Sequence, residues 1–205
     1  MKTHRLLYGT SNKSKIRVMN DYVASLDIEI LSLDDISTPL PDIDETGSSP
    51  LENARIKALA YYKALSIPVF SCDSGLYIDE LPDARQPGVY VRRINGRRLN
   101  DAEMITHYAS IAEEFGGSVT ARYQNAICLV LSETAVYEYA GPDIASRRFK
   151  IVTKPHPTLH EGFPIDSLSV DIQSGMYYYD IGTGQEKYFA FNEGFAGFFK
   201  KALGL

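Results

Sequence analysis

A chain of 205 residues that is 44% hydrophobic and 23% charged has the composition of an ordinary globular protein and is long enough to bury a core without metal or disulfide staples. Its formal net charge of −5, with no long run of like charge, argues against duplex nucleic acid as a partner, so any phosphate ligand must be met by a local cluster. No apolar stretch approaches the roughly 20 residues that cross a bilayer, and the N-terminal MKTHRLLYGT lacks the apolar core of a signal peptide, so no membrane partner and a cytoplasmic location are expected. The cysteines, Cys72 and Cys128, lie in apolar strand-like runs without metal-ligand spacing and read as small buried thiols in a reducing compartment.

Arg5 to Tyr8 is a short strand, closed by the polar turn Gly9-Thr10-Ser11-Asn12, after which Ile16, Met19, Val23 and Leu26 recur at helical spacing. Ile28 to Leu33 alternates as a second strand, and the Pro- and Asp-rich segment Ser37 to Gly47 is a loop. Ser49-Pro50-Leu51-Glu52 has a capping-box pattern with proline at the first helical position, followed by the helix-forming run NARIKALAYYKAL. Ile67 to Cys72 reads as a third strand and Leu76 to Ile78 as a short fourth, with a turn-rich connection from Pro82 to Gly88. Leu99 to Phe115 is a helix stopped by Gly116-Gly117. Val119 to Leu131, Ala135 to Ala140 and Arg147 to Val152 resemble successive strands of an antiparallel meander, and GFAGFFKKAL near the C-terminus is a short helix. Strand and helix alternate first and strands run together later. The expected fold is therefore α/β: a mixed, strongly twisted sheet flanked by helices, in one domain of two lobes over 1–205 with a cleft between them.

The stretch FSCDSGLYID places a carboxylate, Asp73, at the end of an apolar strand. In an open α/β sheet, ligands collect outside the carboxyl ends of the strands, where Asp73, Glu45 and the loop GTSNKSK can face one crevice. That loop hands a strand over to a helix, so its N–H groups and the helix dipole favour an anion, and Thr10, Asn12, Lys13 and Lys15 add donors and charge. It lacks the spaced glycines of a P-loop. Acids at one end and lysines at the other suit a magnesium-bound polyphosphate. From this segment alone, a turn cap made by Asp73 with Ser74 and Gly75 fits as well. Glu52 is accounted for by its capping position, and His156 and His160 read as loop residues.

Together these segments resemble the inosine triphosphate pyrophosphatase family, house-cleaning enzymes that hydrolyse non-canonical purine nucleoside triphosphates to monophosphate and pyrophosphate. The resemblance rests on GTSNKSK at 9–15, ETGSSPLENARIKA at 45–58, DSGLYIDEL at 73–81, PGVY at 87–90 and EGFPID at 161–166. It implies an elongated two-lobed fold, Mg²⁺ as cofactor, a nucleoside triphosphate substrate and a homodimer. By position, Thr10, Asn12, Lys15 and Lys57 would hold the triphosphate, with Ser74 also in the substrate site. Glu45 and Asp73 would bind Mg²⁺ or orient the attacking water, Asp73 as general base. Phe163 would stack on the base, with Asp166 in the base pocket.

The sequence also departs from the family pattern. Cys72 stands where the family carries the first of two acids, and Gly162-Phe163-Pro164-Ile165-Asp166-Ser167 replaces Gly-Phe-Gly-Tyr-Asp-Pro, changing the loop's backbone freedom. Near the C-terminus Lys187 aligns, but Phe191-Asn192-Glu193 replaces the family's Ser-His-Arg, whose His and Arg donate to the 6-keto oxygen. An ionised Glu193 only accepts hydrogen bonds, so Asn192 and Glu193 point to altered base selectivity on retained pyrophosphatase chemistry. The tyrosine-rich stretch Met176 to Asp180, with IGTG after it, reads as an inserted hairpin. The competing readings are a nucleotide-binding or sensor protein of the same fold with weakened turnover, and a pyrophosphatase for another modified nucleotide.

Overall fold

The structure, a computed structural model, describes residues 3–181 and 189–205, without the side chains of 189–192. In chain order the main elements are β1 (His4–Tyr8), α1 (Lys13–Val23), β2 (Ile28–Leu31), α2 (Pro50–Leu65), β3 (Val69–Ile78), β4 (Arg93–Ile94), β5 (Arg97–Arg98), α3 (Asp101–Glu114), β6 (Ser118–Ser132), β7 (Ala135–Tyr139), β8 (Phe149–Val152), β9 (Ser169–Asp171) and α4 (Phe189–Leu203). Strands order as β2-β1-β3-β6-β8-β9 with β7 also on β6, and β4–β5 forms a separate hairpin. β1 pairs in parallel with β2 and β3, whereas β6–β7, β6–β8 and β8–β9 are antiparallel. The sheet is therefore mixed, as expected for an α/β chain that alternates early and meanders late.

The chain divides into two compact units, one of Met1–Ser74, Gln124–Ala145 and Ala190–Leu205, the other of Gly75–Tyr123 and Ser146–Phe189. In the first, Leu6 and Tyr8 of β1, Phe70 and Cys72 of β3 and Ile127 and Leu129 of β6 pack against Met19, Tyr22 and Val23 of α1 and Phe195 and Phe199 of α4. The alternate residues Cys128 and Val130 lie under Ala54 and Ala58 of α2. This is the period-2 alternation of a strand covered on both faces. In the second unit, Leu76 and Ile78 of β3, Val119 and Ala121 of β6 and Phe149 and Ile151 of β8 pack with Met104, Tyr108 and Ile111 of α3.

Several local readings hold. Ser49 caps α2 by accepting from Glu52 N, with Pro50 at the first turn. α3 is capped by Asn100 and Glu103 and stops at Gly116 and Gly117, whose φ of 82° and 106° a side chain would resist. The Met176 stretch does fold back as a hairpin, with Asp171 N donating to Met176 O and Tyr178 N to Ser169 O, while 182–184 lie outside the described residues. Both cysteines are free and buried.

Other readings are corrected. β3 is one strand from Val69 to Ile78, because Asp73, Ser74 and Gly75 keep extended backbone instead of turning. β6 pairs with both β7 and β8, so the late strands do not form a sequential meander. The Glu52 carboxylate reaches Ser48 N and Oγ at 2.7 and 2.8 Å, one residue before the position a capping box requires. α4 begins earlier, at Phe189. Among the described residues no helix is long and apolar enough to cross a membrane.

Candidate functional site

Two parallel strands, β1 and β3, deliver the first pieces. Past Tyr8, Gly9 N donates to Phe70 O and Ser71 Oγ donates to Gly9 O, which pins the polar loop against β3. Gly9 is required for space, since a Cβ there would sit 2.8 Å from the Tyr61 ring. Thr10 Oγ1 accepts from Asn12 N, and Asn12 Oδ1 accepts from Ser14 N and Lys15 N. Asn12 is thus the N-cap of α1, and its side-chain oxygen is already engaged. The capping function leaves only its amide N–H groups for a ligand.

α2 supplies the next piece. One helical face carries Asn53, Ala54, Lys57 and Ala58, positions that share a side at spacings of three and four. The small alanines let the helix lie close on the sheet, and the two polar residues reach past them to Asp73, midway along β3. Lys57 Nζ is 2.9 Å from Glu45 Oε2 and 3.3 Å from Asp73 Oδ1. Asn53 Nδ2 donates to Asp73 Oδ2 at 3.1 Å, and Asn53 Oδ1 accepts from Gly47 N at 2.8 Å. The structure therefore brings together Glu45 and Asp73, which the sequence placed at one crevice, with Lys57, which the family resemblance assigned to the phosphates, and adds Asn53, which the sequence reading passed over. A polar residue on the buried, alanine-bearing face of a helix was the available signal.

The electrostatics follow from this packing. Burial disfavours the Lys57 ammonium, but Asp73 and Glu45 outweigh it and hold its pKa above the ordinary lysine value. Lys15 is half-buried and goes the other way: burial lowers its pKa and Lys57 adds to that, against the pull of Asp73. Among the described residues no carboxylate lies within ion-pair distance of Lys15, although Asp73 and Glu45 both act on it. Cys72, one residue before Asp73, points to the opposite face into the α1–α4 core. Burial pushes its thiol up to about 12, against a hydrogen bond with Tyr8. It is a neutral group in that core and makes no hydrogen bond with Glu45 or Asp73 among the described residues.

Among the described residues no three His, Cys, Asp or Glu side chains converge as a metal cluster. The Glu45–Asp73 pair still fits Mg²⁺, which binds through one or two carboxylates and completes its shell with water and substrate phosphate. The ammonium between the two carboxylates marks the spot as one built for positive charge.

Ser74 is half-buried at the end of the first unit's part of β3. Phe163 and Asp166 belong to the second unit, where Phe163 N donates to His160 O and Asp166 N to Phe163 O in a short 3₁₀ turn, both half-buried. Asp166 acts on Tyr123, helping burial to raise the phenol's pKa. His156 is a structural loop residue: its Nδ1 accepts from Thr158 N, so Nε2 carries the proton toward Asp180 at 3.1 Å. Glu193 is exposed in the first turns of α4. Lys187 and the Asn192 side chain lie outside the described residues. A groove of about 710 Å³ in the second unit, lined by Asn95, Arg97, Glu103 and His107 among others, contains none of the predicted site residues.

Residues 6–148 match the model of the Ham1 family. The chain belongs to the Ham1 family. A relative in Oceanobacillus iheyensis, named dITP/XTP pyrophosphatase, is 41% identical over 97 residues, 47% of this chain and 48% of that protein. Another of the same name in Rhodopseudomonas palustris is 34% identical over 140 residues, 66% of this chain and 65% of that protein. The chain thus spans about half to two thirds of the length of these curated relatives. A solved HAM1 protein from Coxiella burnetii superposes with a TM-score of 0.73 at 26% identity, covering 98% of this chain and 97% of that one. Ham1 membership bears out the kinship drawn from the sequence motifs, and the mixed α/β fold agrees with this neighbour.

Proposed function

We propose that this Ham1 protein is a Mg²⁺-dependent hydrolase that converts non-canonical purine nucleoside triphosphates to the monophosphate and pyrophosphate. The observation that carries the reading is the bridging of Glu45 and Asp73 by Lys57, beside the half-buried Lys15, with Asp73 midway along β3. The names of the relatives support the choice of reaction and substrate class.

Lys15 and Lys57 neutralise the polyphosphate, and Thr10, Ser74 and the Asn12 amide orient it. Mg²⁺, held by Glu45 and Asp73, would neutralise phosphate charge and polarise the reacting phosphoryl group. Asp73 keeps acceptor capacity beyond its bonds to Asn53 and Lys57, since an ionised carboxylate offers about four lone-pair sites. It takes a proton from water as the water oxygen bonds to the α-phosphorus and the bond from that phosphorus to the bridging oxygen breaks, releasing pyrophosphate. Positioning and charge neutralisation supply most of the acceleration.

By the family resemblance, Phe163 supplies a ring that stacks on the base, Asp166 and Lys187 supply contacts to the nucleoside, and Asn192 and Glu193 shift selectivity away from a plain 6-keto reader. The reading carries with it a cytoplasmic homodimer with a house-cleaning role in nucleotide metabolism.

The test is pyrophosphate and phosphate release, with Mg²⁺ and with chelator, from inosine, xanthosine, deoxyinosine and canonical nucleoside triphosphates. Mg²⁺-dependent pyrophosphate release that disappears in Asp73→Asn is the expected result. Phosphate release alone, or activity unchanged in Asp73→Asn, contradicts the mechanism. A substrate ranking left unchanged by Glu193→Arg contradicts the role of Glu193.

A further inference from the structure

Asn53 is 3% exposed, and both ends of its carboxamide are used. Oδ1 accepts from Gly47 N at 2.8 Å, and Nδ2 donates to Asp73 Oδ2 at 3.1 Å. Rotating the amide would set its NH₂ against the Gly47 N–H and its oxygen against a carboxylate, so both contacts enforce the same orientation. Gly47 is buried and two residues from Glu45. A Cβ on it would lie 2.6 Å from Asn53 Oδ1 and 2.7 Å from Glu52 Cβ, so this approach excludes any side chain. Asp73 is gripped at each oxygen, Oδ2 by Asn53 and Oδ1 by Lys57. Lys57 closes the circuit at Glu45 Oε2. The loop carrying Glu45 has no regular structure between Ile36 and Ser49. The Gly47–Asn53 bond thus ties this irregular segment to the helix that aims at Asp73.

We infer that Asn53 is a positioning residue of the hydrolytic site: its carboxamide fixes the Glu45 loop and the Asp73 carboxylate to each other through one rigid helix position. This deepens the proposed function and rests on it for the reaction, but not for the linkage itself. Its bonds are to Gly47 N and to the Asp73 carboxylate, so it acts through these groups. It sets the carboxylate separation and leaves Asp73 with lone pairs beyond its two bonds. Supporting groups of this kind typically change activity or metal affinity by about 10–100-fold when removed.

Two variants separate the two bonds. In Asn53→Ala both are lost; in Asn53→Asp the acceptor for Gly47 N stays while donation to Asp73 goes. Amide hydrogen exchange and steady-state pyrophosphate release are measured on both. For Asn53→Ala the expected result is faster exchange at Gly47 with core strand amides unchanged, and a kcat reduced by about 10–100-fold with KM within about threefold. For Asn53→Asp, Gly47 stays protected and kcat still falls. Wild-type kcat in Asn53→Asp, or Gly47 exchange unchanged in Asn53→Ala, overturns the inference. If the wild-type protein releases no pyrophosphate from any nucleotide, the proposed function fails, while Gly47 exchange still decides whether Asn53 couples loop to strand.

Discussion

Replacing Lys57 by methionine tests the electrostatic core of the site with little change of shape. The lysine side chain is 13% exposed and Asp73 12%, so removing the ammonium leaves a nearly buried carboxylate beside a second one. Breaking a buried pair from one side costs about 3–5 kcal/mol. The lower end applies here, because Asn53 still donates to Asp73 and Glu45 is more exposed, at 36%. For a chain of this length about 3 kcal/mol corresponds to a melting temperature lower by about 6–12 °C. The pKa of Lys57 is raised by folding, so its contribution is complete below the unfolded lysine value near 10.4 and disappears as pH rises through the folded value. The deficit of Lys57→Met should therefore be flat from about pH 6 to 9 and shrink only in strong base. Mg²⁺ should raise the melting temperature of the variant more than that of the wild type, since a cation then meets two carboxylates without a competing ammonium. Scanning calorimetry with and without Mg²⁺ measures all three quantities. A variant melting within about 2 °C of the wild type at pH 7 would refute the reasoning, because the ammonium would then be worth no more than a surface pair.

Cys72 and Cys128 both have thiols pushed up to about 12, so above about pH 9 the folded state holds protons that the unfolded chain releases. Stability should fall with pH there by about 1.4 kcal/mol per unit for each thiol, a slope seen in denaturant titrations and flattened in Cys72→Ala/Cys128→Ala. Gly47→Ala should cost about 1–3 kcal/mol through overpacking against Asn53, with kcat reduced alongside; an unchanged urea midpoint contradicts the close approach. Phe199 is fully buried and meets the Phe70 ring edge-on at 5.2 Å, so Phe199→Ala should cost about 3–5 kcal/mol in the same assay.

The elements with strong local grammar were readable. Ser49-Pro50 announced α2, the paired glycines stopped α3, and the alternating run from Ile28 marked β2. β3 was misread as two pieces because Asp73-Ser74-Gly75 carries turn-forming residues, and only pairing and packing keep such a trio extended. At the site, helical spacing could place Lys57 toward the sheet, but no periodicity says where the irregular loop from Ile36 to Ser49 brings Glu45. That position depends on the Gly47–Asn53 bond, a contact across six residues that leaves no repeating pattern in the sequence. Asn12 was readable as a polar loop residue, yet its role as a cap emerges only from which N–H groups its oxygen meets.

The alternation along β3 has a consequence for how this chain can change over generations. Positions 72 and 73 are covalent neighbours but chemical strangers: one looks toward Tyr8, α1 and α4, the other toward Asn53 and Lys57. A substitution at 72 is screened by an apolar core and by Lys15, while a substitution at 73 is screened by the hydrolytic geometry proposed for it. Mutational drift on the first face, including exchange of a charged group for a thiol, can therefore proceed with the carboxylate of Asp73, the proposed base, held in place.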